Sequence, residues 1–157
     1  MITDAFDKSE VLFGPKDFYG EKKNLCDKCI IVFSEVIFEY MLETYEHEQA
    51  GVIRCCNGVT AVYVFEIEGM KIAGYLSHIG SALAGSDVID ANWLTGADKF
   101  IMFGSAGSLD SNATDGKFVI PTAAYREDGL SYHYAAPTDY IEIKNTKAVK
   151  EIFDELN

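Results

Sequence analysis

Between residues 71 and 103 the chain reads strand, loop, helix, strand, and this unit limits the folds open to it more than any other segment. Met70-Lys71-Ile72-Ala73-Gly74-Tyr75-Leu76 has the apolar content of a strand. Ser77-His78-Ile79-Gly80-Ser81 is a small-residue loop, and a helix follows from about Ala82 to Leu94, with Gly96 suited to its C′ position. Lys99-Phe100-Ile101-Met102-Phe103 is a short apolar run of the kind that forms a buried strand. Two strands joined through a helix are expected as parallel neighbours. Their carboxyl ends then share one edge of the sheet, where open α/β sheets bind ligands.

The second strand breaks into Gly104-Ser105-Ala106-Gly107-Ser108. Glycines let the backbone turn sharply and bring its N–H groups close to a ligand. The loop reads either as a tight turn or as a cradle for a small anionic or hydroxyl-rich molecule. The shared edge favours the cradle, because loops 77–81 and 104–108 would converge there. The N–H groups at the start of the intervening helix would point into the same space.

The rest of the chain extends this α/β pattern. Residues 1–28 are charged and aromatic and read as an irregular lead-in arm. Residues 29–33 form a strand, with Ser34 as N-cap of a helix running to about His47. Strands are expected at 51–56, 60–67 and 70–76, with hairpins at Asn57-Gly58 and Glu68-Gly69. A strand is expected at 117–121 and a last helix from about Thr146. The expected architecture is a mixed central β-sheet flanked by helices, and 157 residues suit one domain spanning 1–157.

A net charge of −12 without a basic cluster argues against nucleic acid and anionic membranes as partners. Met1-Ile2-Thr3-Asp4 lacks the pattern of a signal peptide, so a cytoplasmic location is expected. Cys26-Asp27-Lys28-Cys29 has a spacing used by zinc and redox sites, but no Cys or His completes a zinc pattern. Cys26, Cys29, Cys55 and Cys56 are read as reduced thiols, and no metal is expected.

Three segments resemble the nucleoside phosphorylase superfamily, of the purine nucleoside and uridine phosphorylase type. They are Ile79-Gly80-Ser81-Ala82, the loop 104–109 followed by Asp115-Gly116-Lys117-Phe118-Val119-Ile120, and residues 125–134. The resemblance implies chemistry on the N-glycosidic bond of a purine or pyrimidine nucleoside, with phosphate as nucleophile and no other cofactor. It implies substrate or phosphate contacts at Gly80, Ser81, Gly104, Ser105, Ala106, Gly107 and Arg126, with His78 and His133 as further candidates. It also implies a homo-oligomer, to which the aromatic lead-in from Phe6 to Tyr19 would contribute contacts.

The departures from the family pattern carry equal weight. The strand ending at Phe33 is followed by Ser34-Glu35-Val36-Ile37, where many phosphorylases carry a Gly-Asp-Pro-x-Arg-like loop. Met102 stands three residues before Ser105, where many carry an arginine. Such an arginine would make charge-assisted hydrogen bonds of about 1.5–3 kcal/mol each. No Glu-Met-Glu motif occurs, although family chains use one to hold ribose. The chain therefore resembles the N-terminal portion of a family member or a shortened paralogue, and little glycosidic activity is expected of it alone. The catalytic residues stay unassigned. The alternatives are a nucleosidase that uses water and a non-catalytic nucleoside-binding or assembly subunit.

Overall fold

The computed structural model describes residues 9–56 and 58–156. These residues group into two compact units, Ser9–Ser105 and residues 106 onward.

The first unit is a five-stranded sheet with a helix on each face. Its elements are α1 (Pro15–Tyr19), β1 (Lys28–Val32), α2 (Glu35–Thr44), β2 (His47–Cys55), β3 (Gly58–Ile67), β4 (Met70–Leu76), α3 (Ser81–Thr95) and β5 (Lys99–Phe103). The strand order is β2-β3-β4-β1-β5. β1 runs parallel to both β4 and β5, while β2, β3 and β4 form an antiparallel meander. The expected β4–β5 adjacency is corrected: β1, earlier in the chain, lies between them. A strand buried on both faces reads as a continuous apolar run. In β1, Cys29 and Ile31 pack with Tyr75, Ala91 and Leu94, and Val32 packs on the other face with Phe38, Met41 and Phe65. Fully burying one large apolar side chain contributes about 1.5–3 kcal/mol.

Local geometry sets the element ends. Glu68 and Gly69 both have positive φ (51° and 75°), as a tight hairpin turn between β3 and β4 requires. The other hairpin closes on the pair Cys55 and Gly58. α2 ends earlier than expected: Tyr45 is extended, and Glu46 O accepts a hydrogen bond from Glu66 N (2.9 Å), drawing the chain into β2. His47 is therefore a strand residue, its ring against Tyr63 and Phe65. The lead-in is not irregular throughout. α1 docks on α3 through Tyr19, whose hydroxyl donates to Asp90 Oδ2 (2.9 Å), and Trp93 Nε1 donates to Gly20 O (2.8 Å). Residues 1–8, including Phe6, lie outside the described residues.

The second unit contains a two-stranded ribbon, β6 (Ala123–Tyr125) and β7 (Tyr140–Glu142), a 3-10 turn at Ser131–His133 and the helix α4 (Thr146–Leu156). The strand expected at 117–121 does not form. Lys117 Nζ instead donates to the carbonyls of Asn112 (3.0 Å) and Ala113 (2.9 Å), closing the turn before it, and Phe118 and Val119 are exposed. Pro121 brings no N–H to a ladder.

Candidate functional site

The carboxyl ends of β4, β1 and β5 lie on one edge of the sheet and are joined by backbone hydrogen bonds. Ser77 N donates to Val32 O (2.8 Å), and Phe33 N donates to Phe103 O (3.1 Å). Gly104 fits this junction because it has no side chain: a Cβ there would lie 3.3 Å from Phe33 Cβ. The loop after β4 and the start of the loop after β5 therefore share an edge, as expected, but two strand spacings apart, about 10 Å.

Gly80 is the N-cap of α3 and has φ 104°, a conformation that favours glycine. No side chain caps this helix, so its first N–H groups have no side-chain acceptor. Gly80, Ser81, Gly104 and Ser105 are all exposed on this unit. β5 is not the buried strand expected from its sequence. It pairs with β1 at the border of the sheet, and Ile101, Met102 and Phe103 are exposed.

Ala106, Gly107, Arg126 and His133 belong to the second unit. Ala106, Gly107 and His133 are exposed. Arg126 is only 4% exposed and is not a solvated strand-end charge. Its Nε donates to Ser131 Oγ (3.0 Å), Nη1 to Ala136 O (2.5 Å) and Thr138 Oγ1 (3.3 Å), and Nη2 to Ala135 O (3.1 Å). Its guanidinium also lies 4.2 Å from the ring centre of Tyr132. The neighbouring Asp128 carboxylate accepts instead from Ser131 Oγ (2.6 Å) and from the Leu130 and Ser131 N–H groups, bonds that hold its pKa below the usual range. These are the contacts of an arginine that organises its own loop.

His78 has a partner that the sequence reading missed. Its Nδ1 lies 2.9 Å from Oδ2 of Asp87, a carboxylate on α3 that is 1% exposed. The available signal was an aspartate within an otherwise apolar and small-residue stretch of α3, which is costly to bury without a partner.

This chain matches the phosphorylase superfamily over residues 27–154. It belongs to the phosphorylase superfamily. Solved structures similar to this superfamily member come from Helicobacter pylori. MTAN is 18% identical with a TM-score of 0.55, over 82% of this chain and 61% of that one. The native futalosine hydrolase is 17% identical with a TM-score of 0.55, over 83% of this chain and 59% of that one. A third, the 5'-methylthioadenosine/S-adenosyl homocysteine nucleosidase with a pyrrolo-pyrimidine joined to a hydroxylated pyrrolidine, is 16% identical with a TM-score of 0.55. It matches over 85% of this chain and 60% of that one. At these identities the likeness is one of fold. The phosphorylase-superfamily chain spans about three fifths of the length of these structures. No curated protein matches it.

A cavity of about 610 Å³ lies at the opposite edge of the sheet, where α2 ends and β4 begins. Its lining includes Glu43, Glu46, Glu48 and Glu66 with Lys71, a charge balance that disfavours anions. No helix among the described residues is long and apolar enough to cross a membrane.

Proposed function

We propose that this chain carries part of the nucleoside site of a protein acting on the N-glycosidic bond, with phosphate as nucleophile. The observation behind this reading is the shared carboxyl edge of β4, β1 and β5, together with the start of α3, which has no side-chain cap. Helix N-terminal N–H groups and a loop hydroxyl suit an anion. Ser81 and Ser105 would hold phosphate, and Gly80 and Gly104 would let backbone approach the sugar. Breaking a glycosidic bond develops positive charge on the sugar, which a nearby anion stabilises. Chemistry at the base and the ribose hydroxyls is assigned to no residue of this chain.

A second reading has water as nucleophile. Two observations favour it. Met102 places an exposed thioether, which has no donor, three residues before Ser105. The Arg126 guanidinium is bonded within its own loop.

Calorimetry with adenosine, inosine and uridine, beside a base-release assay with and without phosphate, tests both readings. Nucleoside binding, with phosphate binding weakened by Ser105→Ala, is the expected result. Base release that needs phosphate supports the first reading, and release without phosphate supports the second. Binding without turnover supports a non-catalytic subunit. No binding of any nucleoside overturns the assignment of this edge.

A further inference from the structure

Cys55, His78 and Asp87 come from three elements: the end of β2, the loop after β4 and the second turn of α3. The antiparallel meander makes β2 parallel to β4, so the end of β2 lies on the same edge as His78. Asp87 Oδ2 accepts from the His78 backbone N–H (3.3 Å) and from its Nδ1–H (2.9 Å). A carboxylate only accepts, so in the neutral ring this pair places the proton on Nδ1 and leaves the Nε2 lone pair as an acceptor. Nε2 lies 3.5 Å from Cys55 Sγ and 3.5 Å from Thr60 Oγ1. Cys55 Sγ also lies 3.4 Å from Gly58 O.

We propose that Cys55 is a nucleophilic thiol activated by the His78–Asp87 pair, and a site of covalent modification by small electrophiles. The order of groups is thiol, imidazole, buried carboxylate. This is the arrangement in which a base takes the nucleophile's proton and a third group orients the base. His78 is the base and Asp87 its positioning residue. Removing the thiol proton to Nε2 creates an imidazolium, which the Asp87 carboxylate stabilises across the ring. The ionisable groups around Asp87 are Asp90 on the same helix, Tyr19 on α1 and Tyr75 on β4. Burial raises the pKa of both tyrosines, so they stay neutral and add no charge beside the pair.

Surroundings rather than access alone separate this thiol from the others: Cys26 is half-buried too, but burial raises its pKa. Cys55 is half-buried and the His78 side chain is 18% exposed, so a small reagent reaches the pair. Cys29 is buried and its pKa is pushed up to about 12, which leaves it inert. Cys56 is exposed one residue further on and serves as an internal reference in the same chain.

The test is alkylation of the folded 157-residue chain by iodoacetamide at neutral pH, with each cysteine followed by peptide mass spectrometry. The Cys55 proton passes to His78 Nε2, an S–C bond forms, the C–I bond breaks and iodide leaves. The imidazolium then returns its proton to solvent. If thiolate supply limits the rate, Cys55 reacts at least ~5-fold faster than the more exposed Cys56. His78→Gln removes the base and brings Cys55 to the Cys56 rate or below. Asp87→Asn slows Cys55 in the same direction, wherever circular dichroism shows that the variant folds. The wild-type ratio of Cys55 to Cys56 needs no variant. A Cys55 rate equal to or below that of Cys56 overturns the proposal, as does a ratio unchanged by His78→Gln. The proposal does not depend on nucleoside binding, so either reading can fail without the other.

Discussion

Lys99 Nζ donates a hydrogen bond of 2.6 Å to Asp27 Oδ2, tying the start of β5 to the residue that precedes β1. Asp27 O accepts from the backbone N–H of Asp98 (3.2 Å) and Lys99 (3.1 Å), so the ion pair sits on a backbone junction. Lys99 and Lys28 together hold the Asp27 carboxyl down at about 2. A carboxylate whose pKa is lower in the folded state stabilises that state above its unfolded pKa, about 3.9. The contribution is lost as pH falls from about 4 through about 2. We expect Asp27→Asn to be less stable than wild type at neutral pH and to lose the part of the acid dependence in that window. Both side chains are exposed, so 1 M salt should narrow the difference. Urea unfolding at several pH values measures this; parallel pH profiles for the two proteins would contradict it.

Gly96 ends α3 in the left-handed region, φ 89°. A Cβ at this position would stand 2.9 Å from Asn24 Cα and 2.9 Å from Lys23 O. Both are backbone atoms and cannot rotate away. Gly96→Ala should cost ~2 kcal/mol or more through the left-handed conformation and the contact together. Denaturant midpoints check this, and a variant as stable as wild type would show that the lead-in is not held as described.

Gly74 in β4 makes room for its neighbours on the α2 face. A Cβ there would meet Phe65 Cε2 at 2.9 Å and Met41 Cε at 3.5 Å. Phe65 is fully buried and its ring has little freedom to move. Gly74→Val should destabilise the first unit by about 1–3 kcal/mol, the usual cost of overpacking. Pairing it with Phe65→Leu should recover part of that loss in a double-mutant cycle. Strict additivity would refute the contact.

Arg126 holds the carbonyls of Ala135 and Ala136 and the hydroxyls of Ser131 and Thr138. Arg126→Ala leaves these acceptors without their partner, each at a cost of about 1–3 kcal/mol where water cannot replace it. Arg126→Lys should rescue little, because an ammonium cannot span several acceptors in one plane. Proteolysis of the 126–139 loop should speed up in both variants. Resistance equal to wild type would show that Arg126 does not hold this loop.

What the sequence disclosed depends on whether the deciding force is local. β4 and β5 form over the stretches expected, since short apolar runs bounded by glycine or serine specify their own ends. Gly96 also takes the expected role at the end of α3. Residues 117–121 have the composition of a strand, but no partner strand pairs with them, and Lys117 closes the preceding turn. Composition cannot supply a partner. The position of β1 between β4 and β5 is a tertiary choice, and so is the exposure of β5. At the candidate edge, Gly80, Ser81, Gly104 and Ser105 were legible as loop residues after strands. The pairing of His78 with Asp87 was not, because nine positions separate them and only the turn from β4 into α3 brings them together.

The strand order has a consequence for assembly in time. β2, β3 and β4 join through two tight hairpins, with short loops to close. β1 is made before them, yet Lys28 pairs with Ile72 on one side and Lys99 on the other. Contacts at such separations form late, because loop closure must precede them. The meander should therefore gain amide protection in refolding before β1 does, and pulsed hydrogen exchange that protects both together would refute this order. Cys29, Ile31 and Val32, all buried in the folded chain, would then wait exposed until the chain has supplied both neighbours of β1.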